Sequence, residues 1–424
     1  MRLSIVFVFS MLLLYPGFTQ TVKSVALVDC YEKAKAAYPL SEKGSLLQQS
    51  QAVRLEKLDA QKLPSVFWNA QASIQSENVE LPFESPAIPS LDLPLYRFQT
   101  TVDATYTIYD GGLINVQKDL EQVKLRTEQK SIEVALEGLK PRVNQLFFSA
   151  MLLEKKVAIL ENTKSNIENK IETLQAGVRH GVVLEGEVKK LEVEVLRLQS
   201  QIEENQGTIK GLKAHLSSLT GLDISQQTAL ILPDEKNYSF PSNIQRLELE
   251  LFQLQKEQIL ANESMITAAK KPKFGAFIQA GVGYPNPLNF FEDQISPFAI
   301  AGLQFSWKIF DWKQSDRDRQ LLTLQSQLVD NQRAVFEKNI DVREEEFQIQ
   351  FETLEQLIKR DGEIGQLQKE ILEQVSAQLD RGVVTSSIYI DQVNAEVQAQ
   401  LSLETHLLQL QKAKIEYLTH KGAL

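Results

Sequence analysis

The sequence has a single cysteine, Cys30, so the 424-residue chain has no internal disulfide and its stability must come from packing. Four histidines are scattered singly, and the motifs of zinc proteases and phosphate-binding loops are missing, so no catalytic, cofactor or metal site can be named. The net charge of −10, without any Lys/Arg cluster interrupted by aromatic residues, disfavours nucleic acid as a partner. We therefore expect neither an enzyme nor a nucleic-acid-binding protein.

Long hydrophobic runs are missing everywhere except at the amino terminus. Residues 1–19 carry one positive charge, an apolar stretch and the helix-breaking Pro16-Gly17, which is typical of a secretory signal peptide. Gly17 and Thr19 are candidates for the small residues before the cleavage point, and an uncleaved anchor is the alternative. No later run of eighteen apolar residues occurs, so a passage through a membrane would have to use strands.

The chain contains two copies of one pattern. Asp110 and Asp311 each follow an alternating segment and lie 201 residues apart, and the Gly-Val-Val at 181–183 recurs 201 residues later at 382–384. Constant offsets of this kind indicate a duplication. The predicted divisions are a signal peptide at 1–19, a first repeat at 20–221, a connector at 222–241 and a second repeat at 242–424.

Each predicted repeat contains two strands in which apolar and polar residues alternate. In the first strand, Trp68 and Ala70 alternate with Asn69 and Gln71, and the other strands follow the same rule. Such strands have one apolar and one polar face. The predicted strands are about 65–77 and 97–109 in the first repeat, and about 273–284 and 298–310 in the second.

Each pair of strands is followed by a very long helical pattern. Apolar residues recur at spacings of three and four over some sixty positions, turn at Gly-Val-Val and continue in the opposite direction. We therefore predict two helical hairpins, at about 113–219 and about 313–420. Pro141 lies inside the first long helix and should kink it or divide it in two.

A sheet of four such strands has an exposed apolar face and two unpaired edges, an arrangement that is unfavourable in water. Four strands also cannot enclose a barrel, so several copies of the chain must combine their strands, with apolar faces toward lipid and polar faces toward a lumen. Three copies would supply twelve strands. The strand-to-helix junctions, Asp110-Gly111-Gly112 and Asp311, then mark the points at which the wall leaves the membrane.

The ordered motifs resemble those of the TolC-type family of outer-membrane efflux and secretion channels, over essentially the whole mature sequence. The segment YPLSEKGSLLQQSQAVRLEKLDAQKLPSV resembles the family's amino-terminal helix, IYDGG its strand-to-helix junction and LSSLTGL the end of its hairpin. RGVVTSSIYIDQVNAEVQAQLSLE resembles the family's Gly, short spacer and Asp-Val-Leu-Asp-Ala pattern before the returning helix.

The resemblance implies a mainly α fold with β-barrel strands: two tandem repeats of helix, strand, strand and long helical hairpin. It further implies a homotrimer with a twelve-stranded outer-membrane barrel that continues as a periplasmic α-helical tube. Such a channel is the exit duct of a tripartite efflux pump or a type I secretion system. Its partners are outer-membrane lipid, a periplasmic adaptor (membrane fusion protein) and an inner-membrane transporter, and the family's fold needs no cofactor.

The resemblance also suggests site residues. The family's two gate aspartates correspond to Ile388 and Asp391 in the second half and to Glu187 and Lys190 in the first, so Asp391 and Glu187 are the candidate gate acids. For Asp391, a solvated acid on a helix surface is the alternative. The hairpin tips are candidate adaptor-docking sites, and for their valine pairs inward packing is the alternative. The tip residues are Arg179, Gly181, Val182, Val183, Arg381, Gly382, Val383 and Val384.

One alternative function remains at this point, an exported structural or adhesive coiled-coil protein. Its long helices would match the observed periodicity equally well, but such a fibre has no need of four alternating strands before the helices. A periplasmic adaptor would require a compact all-β domain between its helices, and no such pattern occurs. The cargo, the specific adaptor and transporter and the signal-cleavage position cannot be read from the residues.

Overall fold

The computed structural model of the chain describes residues 23–77, 94–233, 245–289 and 294–424. Within these ranges the chain is mainly helical, with eight helices and six strands. The predicted signal peptide, residues 234–241 of the predicted connector and most of the loop between the first two predicted strands lie outside them. In chain order the elements are β1 (Ser24–Ala26), α1 (Leu27–Ala37), α2 (Leu40–Ala60), β2 (Ser65–Ile74), β3 (Tyr96–Tyr109), α3 (Leu113–Glu137), α4 (Leu139–Arg179), α5 (Glu185–Thr220), β4 (Ala229–Ile231), α6 (Leu247–Ala269), β5 (Lys273–Tyr284), β6 (Ser296–Ser306), α7 (Gln314–Asp380) and α8 (Ser386–Lys421).

The four long strands form one antiparallel sheet in the order β2-β3-β5-β6. Strands from distant parts of the sequence therefore meet at its centre, where β3 pairs with β5 from Phe98 opposite Tyr284 to Tyr109 opposite Phe274. Within the described chain, β2 and β6 are each paired on one side only. The sheet thus ends in two long edges whose backbone groups lack a strand partner in this single chain.

The register keeps the two faces of the sheet chemically distinct. Trp68, Val102 and Ala280 face each other across three strands, whereas their sequence neighbours Asn69 and Thr101 pair on the opposite face. The apolar face is open, because Trp68 is 77% exposed and other large side chains on the face are also exposed. A one-residue slip would exchange the faces, so the alternation of the sequence fixes the register.

Two antiparallel helical hairpins extend from the sheet. The first consists of α4 and α5, and the second of α7 and α8. Helix α7 has 67 residues, which corresponds to a length of about 100 Å at 1.5 Å per residue. An apolar cluster along the inside of both hairpins, including Ile167, Leu191 and Val393, holds the four helices together.

A second apolar cluster lies at the other end of the hairpins. It joins α1, α4, α5 and α8 with the short parallel pair of β1 and β4. Cys30 is fully buried there, and burial raises the pKa of its thiol to about 12. Strands β1 and β4 have three residues each and pair across some 200 residues of sequence, so no local pattern could have indicated them.

The first long helix is interrupted close to the predicted proline. Helix α3 ends at Glu137, Gly138 forms a tighter turn by donating its amide to Ala135 O at 3.2 Å, and α4 begins at Leu139. Pro141 is therefore the third residue of α4, where a missing N–H costs nothing because the first-turn amides have no intrahelical acceptor. Helix α7 has no proline and continues unbroken over its whole length.

The last strand of the sheet ends earlier than its alternation predicts. The pattern continues to residue 310, but β6 ends at Ser306. The physical reason is the length of its neighbour: Ser306 pairs with Lys273, the first residue of β5, so residues 307–310 lie beyond the last available hydrogen-bond partner in this chain.

Candidate functional site

The first strand-to-helix junction is built around Asp110, which follows the last residue of β3. Gly112 N donates to its Oδ1 at 2.8 Å and Ile114 N to its Oδ2 at 2.7 Å. Gly111 and Gly112 have φ angles of 79° and 82°, a left-handed conformation that glycine adopts without strain. A side chain at Gly111 would also lie 2.9 Å from Ala268 O. The junction thus caps the first amides of α3 and changes the chain direction within three residues.

The second junction repeats this hydrogen-bond pattern at Asp311. Lys313 N donates to its Oδ1 at 3.1 Å, Ser315 N to its Oδ2 at 3.2 Å, and the Ser315 hydroxyl donates as well. Lys270 Nζ lies 3.3 Å from the same Oδ2. Trp312 and Lys313 take the left-handed conformation, with φ angles of 53° and 61°. The two aspartates 201 residues apart therefore have the same geometry, although no glycine supports the second one.

Both junction carboxylates are ionised at neutral pH. Hydrogen bonding from the Ser315 hydroxyl, with the Ser315 amide and Lys270, lowers the pKa of Asp311 to about 2. Burial by itself raises the pKa of Asp110, but the amides of Ile114 and Gly112 outweigh it and keep that pKa below its usual value. A negative charge at each helix amino terminus also interacts favourably with the helix dipole.

The first hairpin tip follows Arg179, the last residue of α4. Gly181 N donates to Val178 O at 2.9 Å and Val182 N to Gly177 O at 3.0 Å, which are the two bonds of a Schellman motif. Gly181 has a φ of 73°, and this left-handed residue explains the need for glycine.

The second tip has the same geometry after Asp380. Gly382 N donates to Leu379 O at 3.0 Å and Val383 N to Gln378 O at 2.9 Å, again as in a Schellman motif. Gly382 has a φ of 71°.

The valine pairs at the tips are divided between surface and core. Val182 and Val383 are 76% and 71% exposed, whereas Val183 and Val384 pack against the apolar cluster inside the hairpins. The two arginines at the tips, Arg179 and Arg381, are also exposed.

Sequence reasoning missed one tip residue, Leu184. It is the residue before α5 and is 77% exposed. The equivalent residue in the second half is Thr385, so the first tip presents more apolar surface than the second. The sequence feature that could have indicated it is a leucine shortly after the turn glycine Gly181, outside the helical periodicity.

Glu187, one of the two candidate gate acids, links the two hairpins. Ser386 N, at the start of α8, donates to Glu187 Oε2 at 2.7 Å, and Lys190 Nζ donates to Oε1 at 2.9 Å. Lys190, followed by the Ser386 amide, keeps the pKa of Glu187 below its usual value. The carboxylate therefore caps a helix of the other hairpin.

The other candidate gate acid, Asp391, is exposed on α8. A contact that sequence reasoning missed lies nearby: Lys170 Nζ of α4 is 2.9 and 3.0 Å from the two carboxylate oxygens of Asp380. Lys170 also lies 5.8 Å from the ring centre of Tyr389. These residues line a cavity of about 440 Å³ between α4, α7 and α8. Lys170 and Glu187 thus tie the hairpins together near their tips.

No helix in the described ranges is both long enough and apolar enough to cross a membrane. No protein-family model matches the chain, and no curated protein is significantly similar to it in sequence.

Solved structures, in contrast, match nearly the whole chain. CusC, studied for folding and transmembrane channel formation, has a TM-score of 0.67 at 14% identity, covering 93% of this chain and 91% of that one. The CmeC outer membrane channel of Campylobacter jejuni has a TM-score of 0.62 at 14% identity, with coverages of 93% and 86%. The MtrE outer membrane channel of Neisseria gonorrhoeae has a TM-score of 0.63 at 14% identity, with coverages of 94% and 89%.

The chain has the fold of the TolC-type outer-membrane channels. Identities of 14% leave few residues in common, so the likeness concerns the fold and assigns no residue roles. In this channel fold the sheet and the hairpin tips lie at opposite ends of the long helices, because α7 runs from the Asp311 junction to the turn at Gly382. The strand-to-helix junctions and the hairpin tips are therefore about 100 Å apart along a straight helix.

Proposed function

We propose that the protein is the trimeric outer-membrane exit duct of a tripartite efflux pump or type I secretion system. It would pass substrates from an inner-membrane transporter and a periplasmic adaptor to the outside. One observation carries the proposal: a four-stranded sheet with an exposed apolar face and two unpaired edges continues directly into helical hairpins long enough to cross a periplasm.

The sheet supports closure into a barrel with other copies. Its four strands alternate in direction, so β6 of one copy can pair antiparallel with β2 of the next without breaking the alternation. Three copies then give twelve strands with every edge paired, which a bilayer requires. The apolar face would contact lipid, and the polar face, with Asn69 and Asp103, would line the lumen.

An exposed apolar stripe on α7 supports a multi-subunit tube. Its residues recur every seven positions, which is the spacing of a coiled-coil seam, and they face solvent in the single chain. Together with the other long helices, three copies would supply the twelve helices of a periplasmic tube. The stripe consists of Leu321, Leu328, Val335, Val342 and Ile349.

We further propose that the chain consists of two tandem repeats. The two junctions and the two Schellman turns support this, because each pair repeats the same hydrogen bonds at an offset of 201 residues. Residues 1–19 would direct export and be removed.

The hairpin tips are our proposed adaptor-docking sites. At each tip an exposed valine lies beside an exposed arginine, so an adaptor would find both apolar and cationic contacts. Near these tips, Asp391 is the proposed acid of a periplasmic gate, because it is the one of the two candidates with an exposed side chain. Glu187 would act indirectly, by fixing the position of α8.

The solved structures with this fold are channel and membrane proteins, which supports a role in transport and not in catalysis. The alternative, an exported structural or adhesive coiled coil, would leave the open apolar face of the sheet unexplained.

Membrane fractionation tests the proposal. A duct is expected in the outer membrane as a trimer that dissociates to monomers only when heated in detergent. Soluble periplasmic monomers would contradict it.

Deletion of the gene should then increase sensitivity to toxic compounds or abolish a secreted product, and crosslinking at Val182 and Val383 should capture the adaptor.

A further inference from the structure

Residues 285–289, which follow β5, fold over the polar face of the sheet. Gly283, near the end of β5, pairs with Gln99 and Ser296 and so belongs to the polar face. A side chain built on Gly283 would place its Cβ 2.7 Å from Pro287 Cδ and 2.9 Å from Cγ. The ring of Pro287 therefore occupies the space that a polar-face side chain would fill.

The burial of neighbouring residues agrees with this position of the loop. Thr101, Ser296 and Phe298 lie on the polar face and are only 4%, 6% and 7% exposed. Asn69, which pairs with Thr101 farther from the loop, is exposed. The buried part of the polar face thus lies at the ladder positions of Gly281 and Gly283, next to residues 285–289.

Local hydrogen bonds stabilise the folded loop. Asn286 Oδ1 accepts from Leu288 N at 2.9 Å and from Asn289 N at 3.3 Å, a pattern in which an asparagine side chain replaces a backbone turn. Asn286 is itself 7% exposed. The side chain of Asn286 therefore organises the loop from inside.

We propose that residues 285–289 form a constriction in the outer mouth of the duct, an inference that rests on the proposed function. The loop lies at the end of β5 opposite the helix junctions, and with the polar faces turned inward three loops project into the lumen. None of these five residues is charged, and Leu288 and Asn289 are exposed. The constriction limits solutes by size and does not select by charge.

The decisive variant deletes residues 285–289, which leaves residues 290–294 as a five-residue loop between the paired strands β5 and β6 and retains the acidic Glu292 and Asp293. Purified trimers are inserted into planar lipid bilayers and their single-channel conductance is measured in KCl. Removal of the constriction is expected to raise the conductance about two-fold, while the ratio of potassium to chloride permeability stays that of the parent.

A matched pair of single substitutions separates the loop's conformation from its composition. Asn286→Ala removes the acceptor of both loop amides, so the loop should detach from the polar face and the conductance should rise. Asn162→Ala makes the same chemical change at an exposed position of α4, far from the loop, and should leave the parental conductance. Heat-modifiable trimers in all variants establish that assembly is intact.

The possible failures are distinguishable. Trimers of the deletion variant with parental conductance would overturn the constriction and leave the duct intact, and a changed permeability ratio would overturn its neutral character. Absence of any conductance from the parental trimers would overturn the duct itself, and the constriction with it.

Discussion

At the residue scale, both strand-to-helix junctions need two consecutive residues in the left-handed conformation, and they use different residues for this. Gly111 and Gly112 reach the left-handed conformation freely, whereas Trp312 and Lys313 adopt it at a steric cost of about 1 kcal/mol each. The second junction compensates with more bonds to its aspartate, since the Ser315 hydroxyl and Lys270 add to the two amides.

Opposite effects are therefore expected from exchanging residues between the junctions. Lys313→Gly should stabilise the protein by about 1 kcal/mol, because it relieves a strained φ at an exposed residue. Gly112→Ala should destabilise it by a similar amount. The measurement is the denaturation midpoint of the trimer in detergent, and a shift of the same sign for both variants would contradict the argument.

The aspartate cap at the second junction has a defined pH dependence. The pKa of Asp311 is about 2 in the folded chain against an ordinary value of 3.8, so its stabilising effect is present above pH 3.8 and is lost as the pH falls toward 2. Asp311→Asn should therefore reduce stability at neutral pH and bring the variant and the parent closer together near pH 2. A constant difference at all pH values would argue against the ionised cap.

Glu187→Ala should loosen the contact between the hairpins. Without the carboxylate, the Ser386 amide loses its acceptor, and hydrogen exchange in the first turn of α8 should become faster by about five- to tenfold, equivalent to about 1 kcal/mol. Glu185→Ala is the matched control, because Glu185 pairs only with exposed Lys189 on its own helix. Equal exchange in both variants would show that Glu187 does not cap α8.

At the element scale, the hairpin turns depend on backbone conformation and not on space. Nothing in the described chain lies within 4 Å of a Cβ built on Gly181 or Gly382, so a Cβ meets no clash there, yet both glycines have a positive φ. A β-branched residue would have to adopt the left-handed conformation or change the turn.

If the proposed duct docks through its tips, the double variant Gly181→Val and Gly382→Val should impair efflux while the proposed trimers still form, since the turns lie far from the sheet. The cost is about 1–2 kcal/mol per turn. Gly186→Val is the control, because Gly186 lies in α5 with open space around it. Susceptibility to exported compounds gives the readout, and normal efflux in the double variant would count against the tips as the docking surface.

The helix interruption also belongs to this scale. Pro141 correctly indicated where the first long helix divides, but the break itself is at Gly138, three residues earlier. A proline excludes the hydrogen bond to the fourth preceding carbonyl, so its effect appears upstream of its own position.

At the scale of the whole molecule, the proposed duct places lipid on one face of the sheet and water on the other. Ile278 and Gln279 are neighbours in the middle of β5 and lie on opposite faces. A charge should therefore be tolerated at one of these positions and excluded from the other.

In the proposed barrel, Ile278→Lys should sharply reduce the amount of trimer in the outer membrane, because a lysine facing lipid near the bilayer centre costs about 2–4 kcal/mol per subunit. Gln279→Lys should assemble normally, since its side chain would face water and the carboxylate of Asp103, the residue paired with it. Quantifying heat-modifiable trimers compares the two. Equal assembly of both variants would place the same medium on both faces.

Much of this protein was determined by local sequence. Alternation at a period of two defines the strands and their faces, and spacings of three and four define the long helices. Asp110 marks a change from strand to helix, and Gly181 and Gly382 mark the turns between helices. These features are readable because each depends on neighbouring residues or on backbone torsions.

Other features were decided only by tertiary structure. Examples are the central β3–β5 pairing and the Glu187 bridge to Ser386, which join residues that no local pattern connects. Their free energy comes from contacts between segments as much as 200 residues apart, and such contacts exist only after the chain has folded.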